Sequence, residues 1–167
     1  MAMDNDDVIS VLNDLIETSE DGIKGFHECA DHIRNAEAIA FFTDRVRLIE
    51  RGKLELQGEV RRLGGDPEHR GTAAGAMHRA WVKVKSAVSG KDDEAILAEA
   101  VRGEDVAVEN YEEALGKDLP PEVRTIIDRQ YRGVVENRDR VKRMKDSRSA
   151  MRSAATREPD REAPPPM

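Results

Sequence analysis

The sequence predicts an all-α fold, a four-helix bundle made of two antiparallel helix pairs joined by a crossover helix. Apolar residues recur at spacings of three and four through long segments, which is the period of a helix seam. Gly, Pro, Asn and Asp punctuate the gaps between those segments, where helices cap and stop. Charged residues make up 37% of the chain and aromatic residues 4%. That balance suits narrow apolar stripes on helices and gives a sheet little to build with.

The first helix is expected over about 6–33, with Val8, Leu12, Leu15, Ser19, Gly22, Phe26, Ala30 and Ile33 on one seam. Asn35 can cap the next, over about 36–63, which carries Ala38, Phe42, Ile49, Leu56, Val60 and Leu63. Gly64-Gly65-Asp66-Pro67 ends it, Gly supplying a left-handed cap and Pro blocking continuation. A shorter helix over about 72–89 has Ala80, Trp81, Val84 and Val88 on one face, and Gly90 stops it. Asp92 or Asp93 caps a helix over about 93–116, apolar at Ile96, Leu97, Ala100, Ala107, Tyr111 and Ala114. Pro120-Pro121 starts the last, over about 121–146, through Val123, Ile127, Val134 and Val141. From Ser147 the apolar period disappears and the chain ends in Ala-Pro-Pro-Pro-Met, so residues 147–167 are expected to be a disordered tail.

Short links make each long pair antiparallel. The intervening helix of about 18 residues is roughly 27 Å long at 1.5 Å per residue, long enough to carry the chain back along the bundle. A crossover between two antiparallel pairs is ferritin-like topology.

Composition also narrows function. A net charge of −7 disfavours nucleic acid and anionic membranes, which are held by clustered Lys and Arg. No apolar run approaches the length needed to span a bilayer, and the acidic N-terminus leads into no secretory signal, so the cytoplasm is the expected compartment. Cys29 is the single cysteine, which leaves no intrachain disulfide and reads as a packing residue. Phosphate-binding loops, nucleophile elbows and base-stacking platforms are missing from the sequence.

Several segments together resemble a known family: Leu12-Asn-Asp-Leu-Ile-Glu-Thr18, Asp21-Gly22 with Gly25-Phe26, and Glu59-Val-Arg-Arg-Leu-Gly-Gly-Asp-Pro67. Also part of the set are His78-Arg-Ala-Trp81, Asp93-Glu-Ala-Ile-Leu97 with Arg102-Gly-Glu-Asp105, Tyr111-Glu-Glu-Ala-Leu115 and Asp118-Leu-Pro-Pro-Glu-Val123. They resemble the bacterial ferritin-like four-helix-bundle proteins of unknown function, across about residues 8–146. The resemblance implies a ferritin-like fold and no settled activity. Arg138 departs from it, because members of that family tend to carry His there.

A di-iron bundle needs one Glu from each of two helices and a Glu-x-x-His from each of the other two, all inward. Glu17, Glu50, Glu104 and Glu136 lie at similar heights, roughly 15–24 Å from the end where the first pair turns. Their directions differ. At 100° per residue Glu17 falls opposite the first seam, Glu136 faces away from Val134 and Val141, and Glu50 sits to one side of its stripe. Glu50-x-x-Lys53 and Glu136-x-x-Asp139 also lack histidine. Glu104 alone falls mid-stripe, between Ala100 and Ala107, where a bare carboxylate would cost several kcal/mol.

The partners expected for Glu104 are Arg45 on the second helix and Asn137 or Arg138 on the last, with Gly22 leaving room beside it. The favoured reading is thus a protein without catalysis or cofactor, a stress-associated or assembly scaffold with a buried polar cluster at Glu104. The alternative is iron or another divalent metal held by an atypical site of Glu104, Glu50 and Glu17. His78 and Trp81 are expected to clamp the crossover rather than bind metal. An unknown protein partner, or self-association through an acidic outer stripe of Glu17, Asp21 and Glu28, is left open by the sequence.

Overall fold

A computed structural model describes residues 2–67 and 92–157. The described helices are α1, Asn5–His32; α2, Ala36–Arg62; α3, Asp93–Leu115; and α4, Pro121–Ala155. Expectations for residues 72–89, including His78 and Trp81, lie outside the described residues.

Contacts at the ends set the topology. Met3 N donates to Asp118 O at 3.3 Å, placing the start of α1 beside the α3–α4 turn. At the other end the Asp93 carboxylate, at the start of α3, accepts from the backbone N–H groups of Arg34 and Asn35, each at 3.0 Å. So α1 runs antiparallel to α3, α2 runs antiparallel to α4, and α2 and α3 point the same way. The chain leaves α2 at one end of the bundle and enters α3 at the other, the connectivity of a ferritin-like fold.

Local chemistry explains each boundary. Asp4 caps α1 by accepting from Asp7 N at 2.8 Å, and Asn35 caps α2 by accepting from Ala38 N at 3.0 Å. The α2 C-terminus is a Schellman motif. Gly65 N donates to Val60 O at 2.9 Å, Gly64 N donates to Arg61 O at 3.0 Å, and Gly64 takes φ +84°. Asp92 is the cap of α3, accepting from Glu94 N at 3.0 Å, which frees Asp93 to hold the α1–α2 turn.

The core is apolar along the shared axis, with Val8, Leu12, Phe42, Leu56, Ile96 and Ile127 fully buried. Phe26 and Phe42 stack with centroids 5.5 Å apart. Cys29 is fully buried too, and burial, followed by the charge of Glu28, pushes its thiol pKa far up. It is an inert packing group.

The structure corrects the expected tail. Residues 147–155 continue α4 as helix. Polar ties hold this extension where the apolar stripe has ended. Ser149 Oγ donates to Glu94 Oε1 at 2.7 Å, Arg152 Nη1 to Glu94 Oε2 at 3.1 Å, and Arg148 Nη2 to Asp93 Oδ2 at 3.2 Å. Residues 158–167 lie outside the described residues. No helix among the described residues is long and apolar enough to cross a membrane.

Candidate functional site

Glu104 projects from α3 into the centre of the bundle, with 1% of its surface exposed. Its position follows from helical spacing: Ala100 and Ala107 flank it on the same face and are themselves buried. Arg45 enters from α2, also buried, and meets it with a two-pronged contact. Arg45 Nε donates to Glu104 Oε1 at 2.7 Å and Nη2 donates to Oε2 at 3.2 Å. The planar guanidinium matches the carboxylate fork, and both oxygens gain a charge-assisted donor. The same guanidinium lies 5.8 Å from the Phe26 ring centroid, within cation–π range.

The remaining residues expected around Glu104 separate into two groups. Gly22 and Asn137 line the same central cleft as Glu104. Asn137 donates its side-chain N–H to Gly133 O at 2.6 Å, so it braces α4 while standing at the cleft wall. Arg138 is elsewhere. It is 30% exposed, donates to Asp139 at 3.2 Å and lies 3.6 Å from Asp105. Spacing along α4 turns Arg138 one residue past the wall, so the cation answering Glu104 comes from α2.

The proposed metal set does not assemble. Glu50 is exposed on α2. Glu17 is buried, at 5% exposure, which corrects the outward placement read from the seam. It is nevertheless not among the cleft walls, where α1 contributes Thr18, Ser19, Gly22 and Phe26. Its burial reflects a second covered face of α1, on which Asn13 is also buried and donates to Asp66 O at 3.2 Å. With Glu17 buried, the acidic stripe expected on the outside of α1 does not form a continuous exposed surface. Glu136 is exposed. Among the described residues no three His, Cys, Asp or Glu side chains are grouped to hold an ion. A bridging dimetal centre needs several inward carboxylates, and a lone carboxylate occupied by a bidentate guanidinium does not fit that need.

A second polar cluster lies further along the cleft. The buried Tyr111 hydroxyl donates to Gln130 Oε1 at 2.9 Å, and Gln130 Nε2 donates to Gly52 O at 3.2 Å and Glu55 Oε2 at 2.9 Å. Arg129 completes the rim by pairing with Glu55. Burial pushes the Tyr111 phenol up to about 12, so it stays a neutral donor at physiological pH. The inward face of Tyr111 follows from its helical stripe, but its link to Gln130 depends on how α3 and α4 pack.

Between the two clusters is a cavity of about 470 Å³. It exists because α2 and α4 approach weakly, and small residues line the gap: Gly22, Gly52, Ala107 and Gly133.

Comparison with known proteins agrees with this architecture. A crystal structure of a two-domain protein from Anabaena variabilis, containing DJ-1/ThiJ/PfpI-like and ferritin-like domains, superposes with a TM-score of 0.70 at 15% identity. The match covers 99% of this chain and 42% of that protein, so the chain spans less than half the length of its structural neighbour. At that identity the likeness is one of fold. No curated protein matches the sequence. Residues 7–117 match the domain of unknown function DUF2383, and the chain belongs to that family, with a ferritin-like all-α fold.

Proposed function

We propose that this domain is a non-catalytic, ferritin-like scaffold of the cytoplasm, stress-associated or engaged in assembly, whose polar centre maintains helix register. The observation that carries this reading is the bidentate Arg45–Glu104 contact. A metal needs carboxylate oxygens with free lone pairs, and Arg45 supplies the positive charge that a metal would otherwise bring. A buried ion pair of this kind is near neutral in net stability but punishes misaligned helices, because a slipped register strands a charge in the core.

An assembly role has support on α2, where Leu54 is 63% exposed and Leu48, which lines the cleft, 49% exposed. Large apolar side chains set on a charged helix are suited to a second copy of the chain or to a protein partner.

Elemental analysis of protein purified without chelator tests the reading. The expected result is metal well below one equivalent per chain, unchanged in Glu104→Ala. Stoichiometric iron, manganese or zinc lost on that substitution would instead establish the metal-binding alternative. Sedimentation velocity of the wild type against Leu54→Glu tests assembly, which predicts a larger species in the wild type alone.

A further inference from the structure

We infer that the cleft between α2 and α4 is a binding site for a small monoanion with an apolar body, of the aromatic carboxylate class. The inference is separate from the scaffold reading, since it concerns the space beside the Arg45–Glu104 pair and not the pair itself.

Size comes first. About 470 Å³ falls within the range of small-molecule pockets, roughly 300–1,000 Å³. The walls come next. Phe26, Ile49, Ala107 and Val134 give apolar surface from each of the described helices. The polar groups beside them are largely engaged with one another: Glu104 with Arg45, Tyr111 with Gln130, and Gln130 with Gly52 and Glu55. The deep cleft is therefore electroneutral and offers mainly dispersion and apolar contact.

The rim differs. Three arginines line the cleft, Arg45, Arg51 and Arg129, against two glutamates, Glu55 and Glu104. Arg45 is matched by Glu104 and Arg129 by Glu55. Arg51 pairs with no acid among the described residues and supplies the surplus positive charge. On a protein of net charge −7, a locally cationic mouth over an apolar pocket selects a specific occupant. Its ring or short chain lies against Phe26 and Val134, and its carboxylate turns outward to Arg51. The reverse orientation would put a second anion beside Glu104.

Gly133 provides the test. A Cβ added there meets nothing within 4 Å. Leucine at that position would fill the cleft while removing a helix-interior glycine, so Gly133→Leu is expected to fold. The probe is 2-naphthoate, titrated by calorimetry and by amide NMR, with 2-naphthamide as its uncharged counterpart. The expected outcome is saturable 1:1 binding of naphthoate, with shifts centred on Gly22, Gly52 and Gly133. Gly133→Leu weakens it at least about tenfold, Arg51→Gln weakens it several-fold, and naphthamide binds several-fold more weakly.

Three results would overturn the inference. Naphthoate could show no saturation at about 5 mM, weaker than a millimolar site. Shifts could fall away from those three glycines, a readout that holds even if the leucine variant is unstable. Naphthamide could bind as tightly as naphthoate, which removes the anion selectivity.

Discussion

Arg45 Nε lies 2.7 Å from Glu104 Oε1 and Nη2 lies 3.2 Å from Oε2, so a guanidinium and a carboxylate from parallel helices neutralise each other in the centre of the bundle. With exposures of 7% and 1%, both groups are largely withdrawn from bulk water. Their attraction mainly offsets the cost of taking both charges out of solvent. What the pair contributes is selectivity. A slip of α2 against α3 by one turn, about 5.4 Å, would separate them and bury two bare charges.

Asp93 ties three elements at one end of the molecule, and its replacement is expected to be costly. It is 5% exposed, accepts from the Arg34 and Asn35 N–H groups at 3.0 Å, and takes Arg148 at 3.2 Å. Asp93→Ala bares both backbone donors, and each unsatisfied donor costs about 1–3 kcal/mol. Urea denaturation should show the loss with little change in slope. Asp92→Ala, which removes an exposed cap, should cost about 1 kcal/mol.

Protonating Glu94 is expected to release the end of α4. The Ser149 hydroxyl, then Arg152, hold the Glu94 carboxyl below its ordinary range. Because its folded-state pKa is depressed, its contribution is complete above the unfolded glutamate value, about 4.3. The contribution is lost as pH falls through the lower folded value. Hydrogen exchange should therefore show amides of residues 149–155 losing protection in that acid window, ahead of the core. Glu94→Gln should bring the same loss at neutral pH and leave the midpoint of global unfolding almost unchanged.

Gly64 is fixed by backbone geometry. At φ +84° any side chain meets the left-handed penalty, so Gly64→Ala should cost about 1 kcal/mol in thermal or urea melts. Gly58→Ala makes the matched control, since its added Cβ meets nothing within 4 Å and replacing a helix-interior glycine should stabilise by roughly 0.5–1 kcal/mol.

Features governed by local periodicity were readable from the sequence. The helix starts at Asn35 and Pro121, the left-handed stop at Gly64, and the inward direction of Glu104 all follow from capping chemistry and a 3.6-residue repeat. Arg45 was among the partners that repeat allowed. Features set by packing were not readable. A single seam on α1 predicts Glu17 outward, whereas α1 is covered on a second face as well. Arg138 seemed inward because one residue of rotation on α4 separates it from Asn137, finer than stripe counting resolves. Apolar spacing does not show the helix past Asp146, because the spacing ends there and hydrogen bonds to Asp93 and Glu94, more than fifty residues away in sequence, take over. The central cavity leaves no sequence signature beyond a set of glycines whose convergence depends on the assembled fold.

The unfolding free energies of Arg45→Met, Glu104→Leu and the combined variant test most directly whether Arg45 is the answer to Glu104's buried charge. Each single change should lose about 3–5 kcal/mol by stranding the opposite charge, and the double should return to near wild-type stability or exceed it. Additive losses in the double, or a single variant as stable as the wild type, would contradict the pairing on which the account of the site rests.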